Sequence, residues 1–155
     1  MGEYSAGDQA IDARGLRVAV VVARFNDHVT GLLLEGARAT LRDHGLTDGD
    51  APEYWVPGAF ELPVVAKRLA ESGGFDAVVC LGAVIRGDTP HFDYVAGEAA
   101  AGLARVALDT GVPVIFGVLT TNTLAQALDR CGGSEGHKGA EAAATALETA
   151  ALLRS

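Results

Sequence analysis

The sequence has little cysteine, no surplus of positive charge and no long apolar run, and each shortage closes off a class of function. Two cysteines occur in 155 residues. Cys80 lies inside an apolar stretch and Cys131 in a glycine-rich one, with neither a CxxC pair nor a set of paired spacings, so a reducing, cytoplasmic setting fits and a disulfide framework does not. Lysine and arginine number 12 against 20 acidic residues, a formal net charge of −8. Nucleic-acid backbones are held by clustered cations, so no nucleic-acid partner is expected. The longest uncharged stretch, Thr110 to Leu128, contains Pro113, four threonines, Asn122 and Gln126; it reads as a strand and a polar loop, and no membrane span is expected. The opening Met1-Gly-Glu-Tyr-Ser-Ala has no basic or apolar leader region, so no export signal is expected. No GxGxxG opens a helix after the first strand, GGSEGHKG at 132–139 is not a GxxxxGK[ST] loop, and no HExxH or Cys/His cluster occurs. A dinucleotide, a nucleoside triphosphate and a metal ion are therefore not expected.

What is present is a repeating alternation. RVAVVVA at 17–23 is a short β-branched run, followed by Arg24-Phe25-Asn26 and then by Val29, Leu32, Leu33, Ala37 and Leu41 at helical spacing. The pattern recurs as 52–56 with a helix from Gly58 to Ser72, 76–85 with a helix from His91 to Thr110, and 113–119 with helix from Leu124 to Leu153, the last broken by Gly132, Gly133 and Gly136. Apolar runs without alternation suit strands buried on both faces, and intervening helices require parallel pairing with right-handed crossovers. The expectation is an α/β fold: a three-layer, flavodoxin-like, doubly wound sheet of four parallel strands with helices on both faces. Residues 16–155 read as a single domain. Residues 1–15 stand outside the repeat, as a tail or as a strand added to a neighbouring subunit, and the absence of proline there leaves every backbone donor free for the latter.

Ligands of such sheets bind beyond the carboxyl ends of the strands. Here those ends are Arg24-Phe25-Asn26, Pro57 to Glu61, Arg86 to His91 and Thr120-Thr121-Asn122. Gly87 followed by a helix starting near Thr89, with Pro90 early in it, offers orphan backbone donors suited to a phosphate, although Asp88 could instead cap that helix. His91, in the first turn, can give and take a proton near neutrality. Glu61 at a helix start is explained by capping alone, and Phe25 and Phe60 read first as core-edge packing, with ring stacking the alternative. Arg130 and Lys138 flank the glycine-rich loop and could clamp an anion.

Five pieces in order, ARFN at 23–26, VPGAFELP at 56–63, GAVIRGDTPHFDYV at 82–95, GVLTTN at 117–122 and DRCGGSEGHKGAEAA from 129, resemble the lumazine synthase family over nearly the whole chain. The resemblance implies condensation of 5-amino-6-(D-ribitylamino)uracil with 3,4-dihydroxy-2-butanone 4-phosphate, the penultimate step of riboflavin biosynthesis, with loss of phosphate and water and without metal or redox cofactor. It implies stacking of Phe25 on the pyrimidine, a ring and ribityl pocket lined by Ala59, Phe60 and Glu61, and backbone contacts from Ala83, Val84 and Ile85 to the pyrimidine edge. It places Asp88 and Thr89 at the phosphate and His91 as the proton-transfer residue. Phe116 and Arg130 would come from the adjacent subunit, Arg130 reaching the phosphate, with Lys138 in the same stretch. Asp88 and Ser134 depart from the family pattern toward a more acidic or less basic phosphate end. A homo-oligomer is implied, a pentamer assembled into an icosahedral shell, given the short turn from Gly132 to Gly136. A non-catalytic riboflavin- or lumazine-binding relative would share the ring pocket but would have no use for His91, Arg130 and Lys138, which are all present.

Overall fold

A computed structural model describes Tyr4, Ser5, Gly7 and residues 10–155. Its elements run β1 (Val18–Ala23), α1 (Asp27–Asp43), β2 (Glu53–Val56), α2 (Leu62–Glu71), β3 (Ala77–Ile85), α3 (His91–Thr110), β4 (Val114–Thr121), α4 (Leu124–Asp129), β5 (Cys131–Gly133), β6 (Gly136–His137) and α5 (Lys138–Arg154), with single 3-10 turns at Asp48–Asp50 and Ala59–Glu61. The four long strands form one parallel sheet in the order β2-β1-β3-β4. The expected doubly wound α/β architecture is thus the observed one.

Alternation of side chains along the strands divides the interior into two layers. Val18, Val20 and Val22 of β1, with Val79 and Leu81 of β3, pack against Leu33, Ala37 and Leu41 of α1 and Ala143, Ala146 and Leu147 of α5. Ala19, Val21 and Ala23, with Val78 and Cys80, face Leu62 and Ala66 of α2 and Leu103 and Val106 of α3. β1 is buried over its whole length, as its unbroken apolar run requires. Each fully buried Val or Leu in these layers contributes roughly 1.5–3 kcal/mol by leaving water.

The glycine-rich region is more ordered than a simple helix break. β5 and β6 pair antiparallel, and the Lys138 amide donates to the Arg130 carbonyl at 2.8 Å, so the backbones of these two residues meet at the base of a small hairpin. The α1–α5 crossing is close: an atom added at Cα of Gly139 would lie 2.0 Å from the Leu33 carbonyl oxygen, and one added to Gly36 would strike the His137 ring. Helix α3 runs from His91 to Thr110 with Pro90 in the capping position, as read from the sequence, since Thr89, the residue before proline, is steered away from helical backbone. Of the N-terminal segment, Met1, Gly2, Glu3, Ala6, Asp8 and Gln9 lie outside the described residues, and no described residue of 1–15 is in a strand. The Arg154 guanidinium fastens the end of that segment by donating to the Arg14 carbonyl at 2.7 Å and to the Asp12 carbonyl at 2.5 Å. Among the described residues no helix is long and apolar enough to cross a membrane.

Candidate functional site

The helices after β1 and β3 pack on opposite faces of the sheet, and between two such neighbouring strands a crevice opens at their carboxyl ends. β1 and β3 pair only as far as Val22 with Leu81, so Gly82 to Ile85 continue past their β1 partner and leave backbone facing the crevice. The chain ends around it are tied together: Arg24 and Phe25 donate their amides to the carbonyls of Val56 and Pro57 at 2.8 and 3.0 Å, and the Arg86 amide donates to the Thr121 carbonyl at 2.8 Å. The space enclosed is a cavity of about 700 Å³, within the range of small-molecule sites.

Its wall contains Phe25, the turn from Pro57 to Glu61, Ala83, Val84, Ile85, Gly87, Thr89, His91, Phe92, Tyr94 and Val95. Eight of the residues singled out in sequence therefore meet here: Phe25, Ala59, Phe60, Glu61, Ala83, Val84, Ile85 and Thr89, with His91 at the rim. Phe25 and Phe60 are 72% and 55% exposed. They are not core-edge packing: each sits on a loop after its strand has ended, where its ring projects into open space. Glu61 stands at the N-cap of α2 but makes no side-chain capping bond, so capping does not account for its carboxylate.

Asp88 is exposed and is not part of the cavity wall. It does not cap α3, whose N-cap makes no side-chain bond. At the neighbouring Thr89, the hydroxyl accepts a long bond from the His91 amide at 3.5 Å.

Phe116, Arg130 and Lys138 do not line this cavity within the chain. Phe116 is in the middle of the edge strand β4, in register with Cys80, and is 38% exposed. The Arg130 guanidinium donates to the Gln126 carbonyl at 2.9 Å, and among the described residues neither Arg130 nor Lys138 has a carboxylate partner.

Several residues of the site escaped sequence reasoning. Asn26 is the single non-glycine residue with positive φ among those described, at 63°, and its side-chain amide donates to the Ala83 carbonyl at 2.8 Å. This pins the β1 exit to the β3 end and turns the chain sharply just after Phe25; Asn is among the few residue types that tolerate this backbone, which was the available signal. Tyr94 lies one helical turn from His91 and shares its face, as the i, i+3 spacing would have indicated. Arg86 lies over the Phe92 ring, 4.4 Å from its centroid.

The arrangement can hold a flat ring against an aromatic face, meet polar substituents with a carboxylate and with strand-end backbone, and move a proton at the rim. In a comparison with known families, the model for 6,7-dimethyl-8-ribityllumazine synthase matches residues 15–154 of this chain.

Proposed function

The chain belongs to the 6,7-dimethyl-8-ribityllumazine synthase family, and from that premise we propose that it condenses 5-amino-6-(D-ribitylamino)uracil with 3,4-dihydroxy-2-butanone 4-phosphate, releasing 6,7-dimethyl-8-ribityllumazine, phosphate and water. The observation that carries the proposal is the convergence of Phe25, Phe60, Glu61, the open end of β3 and His91 on one cavity at the carboxyl edge of the sheet.

Phe25 and Phe60 supply flat faces for the pyrimidine, and the end of β3 that runs past its β1 partner, Ala83 to Ile85, meets its amide edge through backbone. The Glu61 carboxylate accepts hydrogen bonds from the ribityl hydroxyls, which strengthen because the acceptor is charged. Gly87 and Thr89 form the end of the cavity nearest the start of α3, where unpaired backbone N–H groups favour an anion, and the phosphate of the second substrate goes there. His91, next to that end, moves protons between the amine, the carbonyl and the leaving oxygen. The reaction is redox-neutral overall: C–N bonds form as oxygens leave as water, the C–O bond to phosphate breaks, and the proton transfers that accompany these steps are the chemistry asked of His91.

The phosphate end has no cation of its own in the cavity wall. Arg130 and Lys138, whose backbones meet at the hairpin base and which have no carboxylate partner among the described residues, are supplied by an adjacent copy of the chain together with Phe116, which makes the working unit a homo-oligomeric ring, a pentamer, and in this reading a shell of pentamers. Residues 1–15 contribute to that assembly, and the protein works in the cytoplasm.

Titration of the pyrimidine substrate alone tests the pocket assignment. Saturable binding is expected, weakened by Phe60→Ala and by Glu61→Ala; no binding, or binding indifferent to both changes, would overturn it.

A further inference from the structure

His91 makes no side-chain hydrogen bond among the described residues, and the helix start that carries it has no side-chain cap. Something else must hold the imidazole in place, because a proton-transfer group gains its effect only when it stays within hydrogen-bond reach of the reacting atoms. Beyond the helix's own ladder, the first turn gains one backbone bond, from the Asp93 amide to the Pro90 carbonyl at 3.0 Å, and the long bond from the His91 amide to the Thr89 hydroxyl.

Arg86 supplies the rest from outside the helix. Its Nε donates to Asn122 Oδ1 at 3.0 Å, which anchors the guanidinium to the loop after β4. From that anchor the guanidinium plane lies over Phe92, 4.4 Å from the ring centroid, and Nη1 stands 3.7 Å from Asp93 Oδ1. Phe92 packs its other side against the α2–α3 core layer. The two residues directly after His91 are thus held by one side chain, and that side chain is fixed to a different strand's loop. A half-exposed ion pair at this distance contributes little by itself; the stacking contact and the Asn122 bond make the tether directional.

We infer that Arg86 is a positioning residue that acts through His91, holding the first turn of α3 against the cavity without touching substrate. The inference rests on the proposed reaction for its kinetic consequence, but the tether itself can be measured without activity.

Three measurements on the assembled protein test it. Hydrogen exchange of the amides of Thr89 and residues 91–95 should be at least about threefold faster in Arg86→Ala than in wild type, with the chain away from this turn and the Asn122 loop unchanged, since local opening is what the tether opposes; Arg86→Lys, which cannot stack and reach Asn122 in the same way, should fall between. Equal exchange in Arg86→Ala and wild type would overturn the tether whether or not the chain is a synthase. In steady-state kinetics Arg86→Ala should lower kcat by about tenfold, a part of what general acid-base catalysis supplies, while KM for both substrates moves less than about twofold. The double variant Arg86→Ala/His91→Ala should then be no slower than His91→Ala alone, because residues acting as a unit are not additive. Effects that multiply would show that Arg86 acts independently of His91 and would overturn the inference. Should the alanine variant fail to assemble, Arg86→Lys carries the same three comparisons. A wild type that binds neither substrate would defeat the proposed reaction and leave the exchange result to stand alone.

Discussion

Replacing Gly139 by alanine adds a single methyl group at the tightest point of the fold. That carbon would stand 2.0 Å from the Leu33 carbonyl oxygen, 2.7 Å from its carbon and 2.9 Å from its Cα, more than 1 Å inside van der Waals contact. The obstacle is backbone in the middle of α1, and Leu33 is fully buried, so neither a side-chain rotation nor a local bend relieves it. Helices α1 and α5 must separate, which loosens the layer built from Leu33, Ala37, Ala143 and Ala146. Overpacking of this kind costs about 1–3 kcal/mol, at the upper end when backbone is the obstacle, and the helix propensity gained by removing a glycine returns no more than about 1 kcal/mol. A net loss of about 2 kcal/mol corresponds to roughly 4–8 °C in Tm for a chain of this size. Gly31→Ala is the matched control: it lies in α1, and nothing stands within 4 Å of the added carbon, so a gain of about 0.4–1 kcal/mol is expected. Urea unfolding of both variants and wild type, at one subunit concentration because assembly adds to stability, should give opposite signs. A Gly139→Ala protein as stable as the Gly31→Ala protein would refute the close α1–α5 contact.

Other expected outcomes concern the site. His91→Ala should lower turnover by roughly 10²-fold or less while binding survives; an unchanged rate at saturating substrate removes His91 from the reaction. Arg130→Ala should raise KM for the butanone phosphate far more than for the pyrimidine, since it removes a charge-assisted phosphate contact and leaves ring stacking in place; equal weakening of both marks Arg130 as structural. Asp88→Asn should change inorganic phosphate affinity by less than about threefold, because the carboxylate is outside the cavity wall and exposed charges act through high dielectric; a larger tightening would show that it faces the anion. Burial pushes the thiols of both Cys80 and Cys131 up, but Cys80 is buried and Cys131 only half-buried, so Cys80 should react with a disulfide reagent only on unfolding and Cys131 more slowly than a free thiol; rapid labelling of Cys80 in the native protein would contradict its burial.

The fold was legible because its physical causes are local and repetitive. Valine runs such as 18–23 can only be buried strands, and the helical spacing after each one dictates the parallel pairing. The site was legible as a place, through the strand ends, but its members were less so. Phe25 and Phe60 looked like packing because composition cannot distinguish an aromatic ring that ends a core from one that faces a crevice; that difference lies in the 3-10 turn at 59–61 and in the left-handed Asn26. Asp88 looked like a cap or an anion neighbour because sequence gives its position on the loop and not its direction. The roles of Asn26 and Arg86 come from partners 57 and 36 residues away, and no local pattern announces such pairs. The hairpin at 131–137 was read as a break in a helix, since its strands are too short to show a period of two.

The most direct test of the proposed reaction is to combine 5-amino-6-(D-ribitylamino)uracil and 3,4-dihydroxy-2-butanone 4-phosphate with the purified protein and to follow product fluorescence and inorganic phosphate together. Both should appear in equal amounts, well above the rate of the same mixture in buffer, and neither should appear when either substrate is omitted. Product forming only at the buffer rate, in a protein that still binds the pyrimidine, would contradict a synthase and leave a binding protein in its place.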